Sequence, residues 1–147
     1  MLDSKLIKPK YIYIALLLYI ITAYFSAGHN APDEYYQILE FAAYKLGFGN
    51  PQFLMWEYHA QMRPALQTLI VCGVYKSLAS LSIINPFITA FVTRLLSGLL
   101  SLLAMYVFIQ AFISSIKIES LKKWFILLSF FTWLIVYNGI RFSSENF

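Results

Sequence analysis

The sequence predicts an all-α, multi-pass membrane protein with a helical loop lying along the outer side of the membrane, and three observations predict it. Of its 147 residues 60% are hydrophobic and only 12% are charged, about half the roughly 25% charge of ordinary soluble domains. Aromatic residues reach 18%, as suits helices with interfacial belts. The apolar residues fall into uninterrupted runs of spanning length, separated by short segments that hold nearly all the charge.

The net charge of +4 is dispersed rather than gathered into a basic, aromatic-interleaved stretch, which argues against a nucleic-acid partner. Cys72 is the single cysteine, which excludes an intrachain disulfide and any cysteine-based metal site. No internal repeat or low-complexity tract is visible.

Residues 1–10 carry Lys5, Lys8 and Lys10 against Asp3, and the run from Tyr11 to Ala27 has no charge. A first span over 11–27 meets the lower length limit of about 17 residues. A cleavable signal sequence cut near Ser26-Ala27-Gly28 is the rival reading, but such apolar cores run only about 7–15 residues. The positive-inside rule assigns residues 1–10 to the cytoplasm and the segment from Gly28 to the outer side.

Residues 28–86 read as an outer loop with surface helices. Its first part holds Asp33, Glu34, Glu40 and Glu57 against Lys45 and Arg63. Ala31 to Leu46 has helical spacing: Tyr35, Ile38, Leu39, Ala42 and Leu46 share one face, and Asp33, Gln37, Glu40 and Tyr44 share another. Asn30 can cap its start, and Gly47, Gly49 and Pro51 stop it. Residues 65–84 are apolar at Leu66, Leu69, Ile70, Val74, Leu78 and Leu81 but are interrupted by Gln67, Lys76, Ser77 and Ser80. That pattern fits either a crossing or an embedded interfacial helix, ended by Asn85-Pro86.

Phe87 to Ile116 is the longest apolar run, giving a second span over 87–113. The basic loop of Lys117, Lys122 and Lys123 against Glu119 follows, then a third span over 124–140 and a tail from Arg141. If residues 65–84 crossed, the basic loop would lie outside, against the positive-inside rule. Three crossings are therefore expected, with Asp33, Trp56 and Arg141 on one outer face.

Two readings of Asp33 and Glu34 stand side by side. Carboxylates in a first helical turn favour the positive end of the helix dipole by about 0.3–1 kcal/mol each. Carboxylates beside a membrane are also candidates for chemistry. His29 and His59 lack metal-ligand spacing, Gly47-x-Gly49 is too short for a phosphate loop, and neither nucleotide fingerprint occurs. Trp56 with Tyr58 fits an aromatic belt, and Arg63 and Arg141 fit interfacial anchors.

Taken together, Pro32-Asp33-Glu34-Tyr35-Tyr36-Gln37-x-x-Glu40, Gly47-x-Gly49, Trp56-Glu57-Tyr58 and Arg63-Pro64 resemble the first outer loop of the GT-C mannosyltransferases, specifically glycosyltransferase family 22. Thr93-Arg94-Leu95-Leu96-Ser97 is similar to that family's Ala-Arg-Leu-Leu segment. Arg141-Phe142-Ser143-Ser144-Glu145-Asn146 resembles its Arg-Thr-x-Ser-Asn-x-x-Glu motif. Ala31 stands where many members have His, and Glu145 follows Ser144 directly.

The resemblance covers roughly residues 28–147 and implies a GT-C-like but incomplete fold, the amino-terminal portion of a longer enzyme. It implies inverting transfer of a sugar, mannose above all, from a polyprenyl-phosphate carrier to a lipid- or glycan-linked hydroxyl, with no further cofactor. Asp33 is then the general base and Glu34 its support. Arg63 and Arg141 bind the leaving phosphate, and Gln37, Trp56 and Glu57 contribute to substrate binding. The expected setting is a bacterial inner membrane or the endoplasmic reticulum membrane of a eukaryote. The reading from a different class is a small non-catalytic membrane subunit whose acidic outer loop binds a partner.

Overall fold

The computed structural model describes residues 7–26, 38–60 and 65–142. Every regular element among them is helical: α1 (Pro9–Phe25), α2 (Glu40–Lys45), α3 (Trp56–His59), α4 (Ala65–Ser80), α5 (Pro86–Phe112), α6 (Glu119–Phe131) and α7 (Trp133–Gly139), with 3-10 turns at Pro51–Phe53 and Ile113–Ser115. Two helical stretches, Pro86–Ser115 and Glu119–Gly139, are long and apolar enough to cross a bilayer; α1 is apolar but shorter. At 1.5 Å per residue α1 is about 26 Å long, a little under the roughly 30 Å of a hydrocarbon core.

The described residues form two compact units, one of 7–26 with 94–141 and one of 38–60 and 65–93 with Phe142. In the first unit α1 packs on α6 and α7. Its contacts with α5 run antiparallel: the Tyr19 hydroxyl lies 3.4 Å from Ser101 Oγ, and Arg94 reaches Ser26. The rings of Phe108 and Phe125 meet at 5.7 Å, and Ser97 reaches Gly139. The chain thus runs up, down and up through α1, α5 and α6–α7.

Hydropathy does not choose the inward face of α1, because that helix is apolar all round. Size chooses it. Ala15, Tyr19 and Ala23, four residues apart, are each 1% exposed or less, whereas Tyr13, Ile14, Leu17, Ile21 and Tyr24 point outward. Gly98 of α5 and Gly139 of α7 admit the Tyr19 ring and Ser101 at close range. Small residues at the seam and large apolar ones outside is the packing rule of helices whose surroundings are themselves apolar.

The third span expected over 124–140 is interrupted. Thr132 takes an extended conformation between α6 and α7, and its Oγ1 donates to the Leu128 carbonyl at 2.6 Å. A threonine hydroxyl bonding back to the preceding turn bends a helix, and here it breaks the register.

In the second unit Ile38, Ala42, Val71, Cys72 and Phe142 form the core, with Leu39, Leu46 and Ile70 at its edge. The Cys72 thiol donates to the Ala42 carbonyl at 3.7 Å. Gly47, at φ +85, ends the α2 turn in the left-handed conformation that glycine tolerates. Gly49 lets the chain lie against the Tyr44 backbone, where an added Cβ would come within 2.8 Å of Cα. α4 turns Leu66 and Leu69 outward and keeps Ile70, Val74 and Leu78 half-buried, whereas Gln67, Thr68, Val71 and Cys72 are buried. Asn85 starts α5 as its cap, its Oδ1 accepting from Phe87 N at 2.9 Å, with Pro86 in the first helical position.

Overpacking the α5–α7 seam gives the first prediction. A Cβ on Gly139 would stand 2.7 Å from Ser101 Cβ, so Gly139→Ala should destabilise the purified chain by about 1–3 kcal/mol. Thermal unfolding in detergent reads this, and the added change Ser101→Gly should restore most of the loss because the two side chains compete for one space.

Candidate active site

Of the residues singled out from the sequence, Asp33, Glu34, Gln37 and Arg63 lie outside the described residues, as do His29, Asn30, Tyr35 and Glu145. Trp56, Glu57 and Arg141 lie within them. So does Glu40, the last residue of the acidic pattern.

α3 is a single turn, and Tyr58 fixes its orientation. The Tyr58 ring meets Phe41 at 4.9 Å and Tyr44 at 5.4 Å, both edge-on and both from α2. With Tyr58 turned inward, Trp56 faces out and is 63% exposed, and Glu57 is half-buried. The aromatic-acid-aromatic pattern therefore divides into an anchor, Tyr58, and an available ring, Trp56.

Glu40 sits in the first turn of α2 and lines a cavity of about 270 Å³. Ala42 of α2 and Leu46 just after it, Val71 and Tyr75 of α4, and Ala90 of α5 supply apolar walls. Its Oε2 is buried and accepts no hydrogen bond from any described residue. A buried carboxylate oxygen without a donor is destabilising, so this atom is poised to accept a hydroxyl or ammonium hydrogen. The site residues drawn from the sequence omit Glu40, although its spacing from Asp33 and Gln37 puts the three on one helical face.

Arg141 follows α7 and is only 4% exposed. Its Nη2 donates to the Tyr137 hydroxyl at 2.6 Å, and Cζ lies 4.5 Å from the centre of the same ring. Tyrosine four residues earlier thus holds the guanidinium by a hydrogen bond and by the face of its ring. Ser97 Oγ lies 3.0 Å from both the Gly139 and Arg141 carbonyls. These carbonyls have no partner in their own helix, and the Ser97 hydroxyl supplies one. One turn earlier, Arg94 Nη1 donates to the Ser26 carbonyl at the end of α1, where a cation also meets the negative end of the helix dipole.

The structure therefore joins two motifs that are far apart in sequence. Arg94 and Ser97 fasten the point where α1 ends and the backbone that carries the buried Arg141. Ser26, where α1 ends, and Arg141 thus lie at the same end of the α5 portion of this unit.

Ser97→Ala should destabilise the chain by about 1–3 kcal/mol through the carbonyls it strands, and Ser97→Thr, which keeps the hydroxyl, should do so much less. Amide exchange at Ile140 and Arg141 should quicken in Ser97→Ala alone, which distinguishes loss of this clasp from general loosening.

The sequence pattern of the Alg9-like mannosyltransferase family matches residues 11–147. GPI mannosyltransferase 3 of Drosophila melanogaster is 32% identical over 135 residues, which cover 90% of this chain and 22% of that protein. GPI mannosyltransferase 3 of Yarrowia lipolytica is 33% identical over 93 residues, covering 58% of this chain and 18% of that protein. The chain thus spans about a fifth of the length of the curated relatives it matches. No solved structure matches it.

Proposed function

Because the chain belongs to the Alg9-like mannosyltransferase family, we propose that it carries the outer-loop catalytic segment of a multi-pass membrane mannosyltransferase. The donor is a mannose linked to a polyprenyl phosphate, and the acceptor is a hydroxyl of a lipid- or glycan-linked sugar. Because the relatives are GPI mannosyltransferases, a GPI glycolipid is the first acceptor to assay. α1, α5 and α6–α7 cross the membrane, and the reaction takes place on its outer side.

The observation that carries this reading is the clasp on α5. Arg94 and Ser97 hold the end of α1 and the start of the Arg141 tail within one turn of each other. That supports bringing the acidic segment and a guanidinium to one side of the membrane, as transfer from a lipid phosphate requires.

The acceptor oxygen attacks the anomeric carbon from the face opposite the phosphate, so the configuration inverts. Asp33 takes the proton of that hydroxyl as the new bond forms. The bond between the anomeric carbon and the phosphate oxygen breaks, and the phosphate leaves with the electron pair. Desolvation beside the bilayer raises a carboxylate's pKa toward the range useful to a general base. Glu34 supports Asp33. Arg63 and Arg141 neutralise the leaving phosphate, for which the forked guanidinium is suited. Trp56 offers its exposed ring to sugar or lipid, Gln37 and Glu57 bind hydroxyls, and no metal is needed to complete the step.

Within the full-length enzyme, Asp33→Asn should lower turnover about 10²–10⁴-fold with donor binding nearly unchanged. A near-normal rate would leave Asp33 with only its helix-dipole role. Arg141→Lys should mainly weaken donor engagement, since charge remains but the fork is lost.

Topology is checked by cysteine labelling on a Cys72→Ala background. Ser120→Cys should be reached from the cytoplasm and a cysteine at 56 from outside. Outward labelling at 120 would restore residues 65–84 as a crossing.

A further inference from the structure

At the end of the first unit away from the clasp, lysines distant in sequence line one cavity. Lys8 and Lys10 at the start of α1 meet Lys122 and Lys123 in the first turns of α6, around a space of about 360 Å³. Among the described residues, Glu119 is the one acidic residue in that lining. Its carboxylate pairs with Lys122 at 2.6 Å but is itself 82% exposed, whereas the Lys122 side chain is 19% exposed. Lys10 lies 5.4 Å from the centre of the Tyr11 ring, which also lines the space.

Four ammonium groups against one carboxylate leave an excess of positive charge in a partly enclosed site. The amino-terminal ends of α1 and α6 add the positive poles of their dipoles. Such a site suits an anion, and its position says which kind. Ile118, Leu121 and Trp124, beside the α6 lysines, are all exposed. An anionic head held by the lysines would have apolar surface running directly away from it. A soluble anion makes no use of that surface; a phospholipid uses both parts.

We infer that this cavity binds the phosphate headgroup of an anionic membrane phospholipid, with Lys8, Lys10, Lys122 and Lys123 as its ligands and the exposed face of α6 as the seat of an acyl chain. Basic pockets between helices at the membrane surface are suited to this, since each lysine attracts an anionic headgroup on its own account and the cavity sums them. The site is separate from the outer-loop chemistry and stands on its own geometry.

The test uses the full chain with Trp56→Phe and Trp133→Phe, which leaves Trp124 as the reporter. It is reconstituted in phosphatidylcholine vesicles containing a minor fraction of dibrominated phosphatidylglycerol or, in parallel, dibrominated phosphatidylcholine, and bromine quenching of Trp124 gives the relative affinity. Phosphatidylglycerol should be preferred by about tenfold, equivalent to about 1.4 kcal/mol. Lys122→Gln with Lys123→Gln should reduce this to about twofold or less, and so should Lys8→Gln with Lys10→Gln from the opposite helix. The arginine versions of either pair should retain the preference and show that the fold is intact. Lys117→Gln removes one positive charge outside the cavity and should leave the preference unchanged. An equal loss in Lys117→Gln would mean general surface attraction and would overturn the site. A wild-type preference near one would overturn it too. If added inorganic phosphate abolished the preference, the cavity would be a free-anion site and the lipid assignment would fall.

Discussion

The carbonyl oxygens at the ends of α1 and α7 have no partners within their own helices, and two side chains of α5 meet them: the Arg94 guanidinium at Ser26, and the Ser97 hydroxyl at Gly139 and Arg141. A backbone carbonyl that faces apolar surroundings without a donor is costly, so these contacts are more than decoration on a bundle already formed. They fix the level at which the chain leaves the helices on its way to the acidic segment. They also fix where Arg141 begins. Without them two close-packed helices could slide along α5 with little change in buried apolar area.

The bundle tolerates this because its interior is narrow. Gly98 and Gly139 remove side chains where Tyr19 and Ser101 must fit, and Ala15 and Ala23 do the same along α1. Close approach lets short polar groups reach across a seam: the Tyr19 and Ser101 hydroxyls meet there. Many large apolar side chains, Leu17, Phe25, Leu103 and Trp133 among them, are left on the outside. In water that distribution would favour aggregation; against lipid it is the lower-energy one. The two candidate spans and the apolar α1 share this outward character.

The second unit follows a different logic. Its short helices hold together through the Ile38, Ala42, Val71 and Cys72 core and through Tyr58, wedged against two rings of α2. The result is an apolar cavity with Glu40 as its acid. A carboxylate kept without a hydrogen-bond donor from the described residues weakens the fold locally, which is the usual mark of a group retained for a ligand rather than for stability. Trp56, left outward by the same packing, has the matching character of a residue that contributes little to the core.

The sequence by itself determined the helical class, because runs of apolar residues of that length leave the backbone no other way to satisfy its hydrogen bonds in lipid. It also determined the stops: Gly47 at its positive φ and Asn85-Pro86 as cap and first turn act through local geometry, which needs no distant partner. The motif spacing around Asp33 and Trp56 was legible enough to identify the family, although the positions of Asp33, Glu34, Gln37 and Arg63 fall outside the described residues. Only the tertiary structure decided which face of α1 is inward, since a helix apolar on every side carries no periodic signal and small side-chain volume becomes informative only opposite a partner. The outward turn of Leu66 and Leu69 on α4, beside a buried Gln67, was hidden until its partners were in place. The break at Thr132 was not legible either, because a threonine hydroxyl bonds to solvent, to its own helix or to a neighbour depending on what surrounds it. Contacts such as Ser97 with Arg141, Glu40 with the walls of α4, and Lys8 with Lys122 around one cavity join residues dozens of positions apart. No local rule links such pairs; they meet only where the helices pack.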